Sequence, residues 1–145
     1  MAIPYPTLHE LTSIARKHHL SFPEAVPTPW VGATSRVFPL GDWVIKVPFD
    51  DPDAIQAVMT DASVGSLVHG HGVPTQELLV LDDSRETLVV PFSIYRRVQP
   101  AVSLDRFSGH PDLVTRAWEA VGRHLAIVRR IASDADIPLP LRTFR

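Results

Sequence analysis

The apolar run of residues 43–48 constrains the fold more than any other part of the chain. It reads Trp-Val-Ile-Lys-Val-Pro, and because strand side chains alternate between faces, Lys46 points away from the face of Ile45 and Val47. Residues 36–40 precede this run across a Gly-Asp turn, which predicts a β-hairpin. A lysine in such a strand has two interpretations: it lies on an edge strand and reaches water, or it faces an anion.

The segment before the hairpin favours the anion. It contains small and hydroxyl-bearing residues, namely Gly32, Ala33, Thr34 and Ser35, followed by Arg36. Small side chains let backbone amides approach phosphate oxygens, and hydroxyl groups add hydrogen-bond donors. An ordinary hairpin bend is the alternative, because a single glycine is a weak signal for a phosphate loop. The loop and the lysine together predict an anion site that neither would establish alone.

Helices are predicted on both sides of the hairpin. Thr7 is a good N-cap for a helix that ends near His18 and His19, and the prolines between residues 22 and 31 allow only a short edge strand. An Asp-Asp-Pro-Asp segment at residues 50–53 begins the second helix. The apolar stripe of this helix consists of Ile55, Val58, Met59, Ala62 and Leu67. The helix is predicted to end at Gly70 or Gly72.

Two further strands, at residues 77–81 and 88–98, complete the predicted sheet. A short helix at residues 102–107 and a longer one at residues 112–132 follow. The longer helix is predicted to bury Leu113, Ala117, Val121, Leu125 and Val128. The fold class is therefore α+β: a five-stranded antiparallel sheet with a long helix inserted after the third strand, preceded by an N-terminal helix and followed by a hinge and C-terminal helices.

Composition excludes several classes of function. The chain has 145 residues, 45% of them hydrophobic, and a formal charge of -2, which indicates one soluble globular domain. Lys17 and Lys46 are its two lysines and its arginines are dispersed, so no basic stripe for nucleic acid is present. No segment is apolar enough to span a bilayer and no secretory signal is evident, so we expect no membrane partner and a cytoplasmic location.

Metal binding is not predicted. The chain contains no cysteine, which excludes thiolate ligands and disulfides. His18 and His19 are at adjacent helical positions, which point about 100° apart, and the pair His69–His71 lacks a third ligand nearby. Capping of helix ends is the better explanation for both histidine pairs.

Four blocks of the sequence resemble the N-terminal lobe of the aminoglycoside phosphotransferase family, which has a protein-kinase-like fold. They are residues 32–38, 44–48, 72–76 and 95–98, and the order of a small-residue loop, a strand, a turn and a strand with a central lysine is part of the likeness. The resemblance covers about residues 22–130. It divides the chain into an N-terminal helix (1–21), a kinase-like N-lobe with nucleotide loop and hinge (22–99), and the truncated start of a helical C-lobe (100–145).

The resemblance assigns ATP-binding roles to individual residues. Lys46 matches the lysine that contacts ATP phosphates, and Gly32, Ala33, Thr34, Ser35 and Arg36 match the nucleotide loop. Asp61 aligns with the helix glutamate that pairs with this lysine. Its side chain is one methylene shorter, which predicts a weaker ion pair.

The resemblance also places the adenine. Tyr95 would lie beside the adenine ring, while Arg96 and Val98 match the hinge positions whose backbone carbonyl and amide pair with the base. Nucleotide is therefore the expected ligand of this chain.

The catalytic half of the family pattern is missing from the sequence. The family places a catalytic aspartate, a metal-binding asparagine and a second metal-binding aspartate after the long helix. This chain has no asparagine, and Asp134 and Asp136 lack the histidine-led loop, so no catalytic or metal-binding residue is assigned. We expect weak or conditional ATP binding, magnesium only if a C-lobe is supplied, and no turnover by this chain alone.

A second function is compatible with the same sequence. Without a catalytic lobe, the inter-lobe face of the sheet and the long helix would be exposed, which predicts self-association or a protein partner covering that face. The alternative to a kinase lobe is therefore a stand-alone interaction or regulatory module without catalytic activity.

Overall fold

The computed structural model describes residues 6–99 and 104–133. Its elements in chain order are α1 (Leu8–Lys17), β1 (Trp30–Val31), β2 (Ser35–Leu40), β3 (Trp43–Pro48), α2 (Pro52–Gly70), β4 (Leu78–Asp82), β5 (Phe92–Arg96), a 3-10 helix (Leu104–Phe107) and α3 (Pro111–Ser133). The strands form one sheet in the order β1-β2-β3-β5-β4, with antiparallel pairing throughout. The α+β class, the five antiparallel strands and the helix inserted after the third strand are confirmed.

The chain divides into two compact units. One contains Met1–Ser66 and Gln76–Arg97, and the other contains Leu67–Thr75 and Val98–Arg145. The first unit holds the sheet, α1 and most of α2, while the second holds the end of α2, the 3-10 helix and α3.

Helix α1 is fixed at its start by a capping box and along its length by burial. Thr7 Oγ1 accepts a hydrogen bond from Glu10 N at 3.2 Å, and Glu10 Oε2 accepts one from Thr7 N at 2.7 Å, so two backbone donors of the first turn are satisfied. Leu11 and Ile14 are fully buried. The predicted N-cap is confirmed, and the helix is capped at His18.

The main core of the first unit lies between α1 and one face of the sheet. Phe38 on β2, Ile45 on β3 and Ile94 on β5 are fully buried and belong to the same cluster as the α1 side chains. These three residues are paired across the strands, Phe38 with Ile45 and Ile45 with Ile94, so they share one face. Lys46 consequently belongs to the opposite face of the sheet.

The hairpin and the start of α2 follow local sequence signals. Gly41 has a φ of 59° in the turn between β2 and β3, a left-handed conformation that glycine adopts without strain. At the start of α2, Asp51 Oδ1 accepts a hydrogen bond from Ala54 N at 2.9 Å, and Pro52 is the first helical residue. The helix ends at Gly70, within the predicted range.

Two predictions about individual elements are wrong. The last strand begins at Phe92 rather than at residue 88, because the preceding Pro91 has no N–H to give to the ladder. Helix α3 does not bury its predicted stripe: Leu113, Val121 and Leu125 are 43%, 41% and 61% exposed. The short helix was predicted from residue 102, and its observed range is Leu104–Phe107, with residues 102 and 103 outside the described residues.

Within residues 6–99 and 104–133, no helix has both the length and the apolar character needed to cross a membrane.

Candidate functional site

Lys46 lies on a central strand. β3 is flanked by β2 and β5, and Lys46 is paired with Val37 on one side and Ser93 on the other. The edge-strand interpretation of this lysine is therefore wrong, since no sheet edge is adjacent to it. Its side chain is 22% exposed, which leaves part of it open on the face opposite the main core.

The partner of Lys46 is a carboxylate on α2. Lys46 Nζ lies 2.5 Å from Asp61 Oδ2, and the next residue of the helix, Ala62, is buried at 1% exposure. The aspartate side chain is long enough for the ion pair, so its missing methylene does not prevent contact. Within the described part of the chain, Lys46 Nζ makes no other hydrogen bond, and an ammonium has three N–H donors.

Two further side chains lie on the Lys46 face. Ser93 and Tyr95 on β5 are paired with Lys46 and Val44 on β3, so all four share one face. Burial raises the pKa of the Tyr95 hydroxyl, and the charge of Asp61 raises it further, while Ser93 acts in the opposite direction. Lys46, Asp61 and Tyr95 are thus brought together in one cluster.

Ser93 is the member of this cluster that the sequence did not predict. It is fully buried, and its Oγ makes no hydrogen bond of good geometry to another described residue, although it is near enough to Tyr95 to lower that residue's pKa. Its alternation with Tyr95 along β5 is the sequence signal that could have indicated it.

The predicted loop forms the turn between β1 and β2. Gly32 N donates to Ser35 O at 2.8 Å, and Phe49 N donates to Thr34 O at 3.0 Å. The amides of Ala33 and Thr34 donate no hydrogen bond to any residue in the described ranges. These two donors are available to an anion, as the loop prediction requires.

Other details of the loop differ from the simplest phosphate-loop interpretation. Ser35 is the first residue of β2 and is buried at 4% exposure, so its hydroxyl is not on the loop surface. A Cβ on Gly32 would meet Ser35 O at 3.5 Å, an ordinary contact, and glycine is therefore not sterically required there. The guanidinium of Arg36 lies 5.2 Å from the centre of the Phe49 ring, within the range of a cation–π contact.

Arg96, one of the two predicted hinge residues, is held by Glu77, just before β4, and by Trp43 on β3. Its backbone N donates to Glu77 O at 2.8 Å, its Nε donates to Glu77 Oε2 at 2.8 Å, and its guanidinium lies 4.9 Å from the centre of the Trp43 ring. The Arg96 carbonyl accepts a long bond of 3.4 Å from Gln76 Nε2. Val98 belongs to the second unit and is 55% exposed.

No metal site is found in residues 6–99 and 104–133, where no three His, Cys, Asp or Glu side chains are grouped to hold an ion. His71, one member of the second histidine pair, has its Nδ1 2.9 Å from the carbonyl oxygen of Leu67. This local contact agrees with a helix-end role.

Comparison with protein-family models, with curated proteins and with solved structures finds no match for this chain. The site is therefore interpreted from its own residues. A partly exposed ammonium, held by one carboxylate, lies one strand away from a turn in which two amides have no partner among the residues that the structure describes. Such an arrangement favours a ligand that carries several anionic oxygens.

Proposed function

We propose that this chain is the N-terminal, ATP-binding lobe of a small-molecule kinase resembling the aminoglycoside phosphotransferases. The observation that carries the proposal is the ion pair of Lys46 and Asp61 at the centre of the sheet. A carboxylate that uses one ammonium proton orients the lysine and leaves two N–H donors for phosphate oxygens. Kinases use a strand lysine paired with a helix acid in this way.

The turn between β1 and β2 supplies the second part of the proposed phosphate site. The amides of Ala33 and Thr34 would donate to the phosphates. Arg36 is paired with Val47 and alternates with Val37, so its side chain belongs to the opposite face of the sheet and is left out of this phosphate site. Backbone amides at such turns attract anions because their dipoles point toward the concave side.

The proposed base site lies where β5 ends. Tyr95 presents a buried ring on the Lys46 face, and the Arg96 carbonyl has only a long hydrogen bond from Gln76. That carbonyl keeps acceptor capacity for the amino group of adenine.

Phosphoryl transfer to a hydroxyl needs groups that residues 6–99 and 104–133 do not bring together. Magnesium would neutralise charge between the phosphates and a carboxylate base would orient the hydroxyl, yet the described residues contain no metal-ligating group of three, and the chain has no asparagine. These residues do not fit a complete magnesium site. We therefore propose ATP binding by this chain without turnover, with magnesium and acceptor contributed by a catalytic lobe.

Titration of ATP with magnesium against the wild-type chain and Lys46→Ala tests the proposal, by calorimetry and by the shift in melting temperature. Lys17→Ala is the matched control, because Lys17 is the other lysine and its partner is Asp82. We expect saturable binding to the wild type and the control, and its loss in Lys46→Ala. Equal binding by Lys46→Ala, or none by the wild type, would contradict the proposal.

An interaction or regulatory module is the second candidate, favoured by α3. Trp118 and Leu125 are 62% and 61% exposed on this helix, and exposed apolar side chains at helical spacing often mark a protein contact. Light scattering of the wild-type chain and of Trp118→Glu would test this candidate. A mass above that of the monomer, returning to the monomer in the variant, would support self-association.

A further inference from the structure

Trp30 is an exposed aromatic residue beside the proposed phosphate site. It is 53% exposed on β1, directly before Val31 and the turn at Gly32. Large aromatic side chains are usually buried, and an exposed indole offers a flat apolar surface with a polar N–H at its edge. The proposed function assigns no role to this side chain.

The pairing of the strands places Trp30 on the same face as Lys46. Trp30 is paired with Val37, and Val37 is paired with Lys46, so the three residues form a row across the sheet. Two inter-strand steps of about 4.8 Å separate the backbones of Trp30 and Lys46, or about 10 Å in all. That separation suits a ligand with a planar ring at one end and phosphates at the other.

One face of the Trp30 indole is already in contact with a planar group, so a base would stack on the other face or displace that group. The Arg97 guanidinium lies 5.4 Å from the centre of the ring, and the Arg97 backbone is anchored by its N–H, which donates to Asp42 O at 2.7 Å. A guanidinium is flat and delocalised, as a nucleobase is, and both stack on aromatic faces.

Trp43 provides an internal comparison. The Arg96 guanidinium stacks on it at 4.9 Å, but Trp43 alternates with Val44 along β3 and packs against the main core. It therefore belongs to the face opposite Lys46. The two tryptophans share the same type of arginine contact and differ in which face of the sheet they occupy.

We propose that the indole of Trp30 is the surface on which the base of the bound nucleotide stacks. The inference rests on the proposed function, because the phosphates of the same ligand are placed at Lys46. Stacking on an aromatic side chain accepts any base, since every base has a π-face. Trp30 therefore contributes affinity for a nucleoside over a bare polyphosphate, and little discrimination among bases.

Intrinsic fluorescence isolates this side chain. The chain has three tryptophans, so the double variant Trp43→Phe/Trp118→Phe leaves Trp30 as the one indole. We expect ATP to quench its emission saturably, whereas inorganic tripolyphosphate, which lacks a base, should change it little. Quenching by tripolyphosphate to the same extent would contradict stacking.

Calorimetry with the same two ligands separates the base from the phosphates. We expect Trp30→Ala to weaken ATP binding about 5- to 150-fold, the range that base–aromatic stacking spans, and to leave tripolyphosphate binding within about twofold. Trp30→Phe keeps an aromatic ring and should therefore lose less affinity for ATP than Trp30→Ala. Trp43→Phe should bind both ligands with the affinity of the wild type.

The outcomes distinguish the two proposals. Wild-type affinity for ATP in Trp30→Ala, or equal affinity of the wild type for ATP and tripolyphosphate, would overturn the role of Trp30 while leaving the phosphate site at Lys46 intact. Failure of the wild type to bind either ligand would overturn both proposals. Melting temperatures of all variants establish that the losses do not come from unfolding.

Discussion

Lys46 Nζ and Asp61 Oδ2 lie 2.5 Å apart and join the centre of the sheet to α2. The two residues differ in environment, because the lysine side chain is 22% exposed and the aspartate side chain is 55% exposed. An ion pair with one solvated partner contributes little to stability, since water competes for the carboxylate. Its position is therefore better explained by orientation of the ammonium than by stabilisation of the fold.

A double-mutant cycle should show this weak contribution. We expect Lys46→Ala and Asp61→Ala to be coupled by less than about 1 kcal/mol in the free energy of unfolding, because exposed ion pairs are worth about that much or less. The Arg96 and Glu77 pair, with both side chains 55% exposed, is a matched control cycle. Coupling of several kcal/mol at Lys46 alone would show that the pair is a structural element.

The two glycines of the hairpin region should respond differently to alanine. Gly41 has a φ of 59°, and an added Cβ would lie 3.2 Å from Ser21 Oγ, so Gly41→Ala should destabilise the fold by about 1 kcal/mol or more. Gly32→Ala should change stability by less than about 0.5 kcal/mol, because its nearest contact is at 3.5 Å. Urea unfolding of both variants measures the difference, and equal effects would contradict the assignment of strain to Gly41.

Asp82 should make the fold sensitive to acid. Burial raises the pKa of its carboxyl, but hydrogen bonds from Ser84 and Lys17 together outweigh this and hold the pKa below its usual range. A lowered pKa stabilises the fold above the unfolded-state pKa of about 4. That stability is lost as the pH falls through the folded-state value.

Asp82→Asn should therefore lower the free energy of unfolding by about 1–3 kcal/mol near neutral pH. The difference in the free energy of unfolding between Asp82→Asn and the wild type should shrink as the pH falls below about 4. Asp83→Asn is the matched control, because Asp83 is adjacent and exposed. A gap that stays constant from pH 7 to acid would show that the charge of Asp82 is not the source of its effect.

Local signals in the sequence predicted most of the first unit. Thr7, the Asp-Asp-Pro-Asp segment and the Gly41 turn act within a few residues, so their effects can be inferred without knowing the fold. The face of Lys46 followed from alternation along β3. The contact between Lys46 and Asp61 depends on how α2 packs against the sheet. The sequence could indicate it only because α2 directly follows β3 in the chain.

The errors came from tertiary context. Residues 88–91 are apolar, and Leu88 and Val90 are buried as a strand would bury them, yet they form bends before Pro91. In α3, helical spacing predicted burial for Leu125, but spacing cannot say whether another part of the molecule covers that face. Trp30 could not be placed from the sequence, because its position on the Lys46 face depends on pairing with β2.

His18 should make stability depend on pH near neutrality. It caps α1, and its Nε2 is buried without a hydrogen-bond partner among the described residues. Burial lowers the pKa of His18, and the positive charge of Lys17 lowers it further, while Asp82 acts in the opposite direction. The unfolded chain therefore binds a proton more readily than the folded chain.

Stability from His18 should be present above the unfolded-state pKa of about 6.5 and be lost as the pH falls through the folded-state value. We expect the free energy of unfolding of the wild type to decrease from pH 7.5 to pH 5, and His18→Gln to show a flatter profile. His19→Gln is the control, because His19 is the adjacent exposed histidine. If His18→Gln kept the full decrease in unfolding free energy between pH 7.5 and pH 5, the group that titrates would be another residue and the prediction would be wrong.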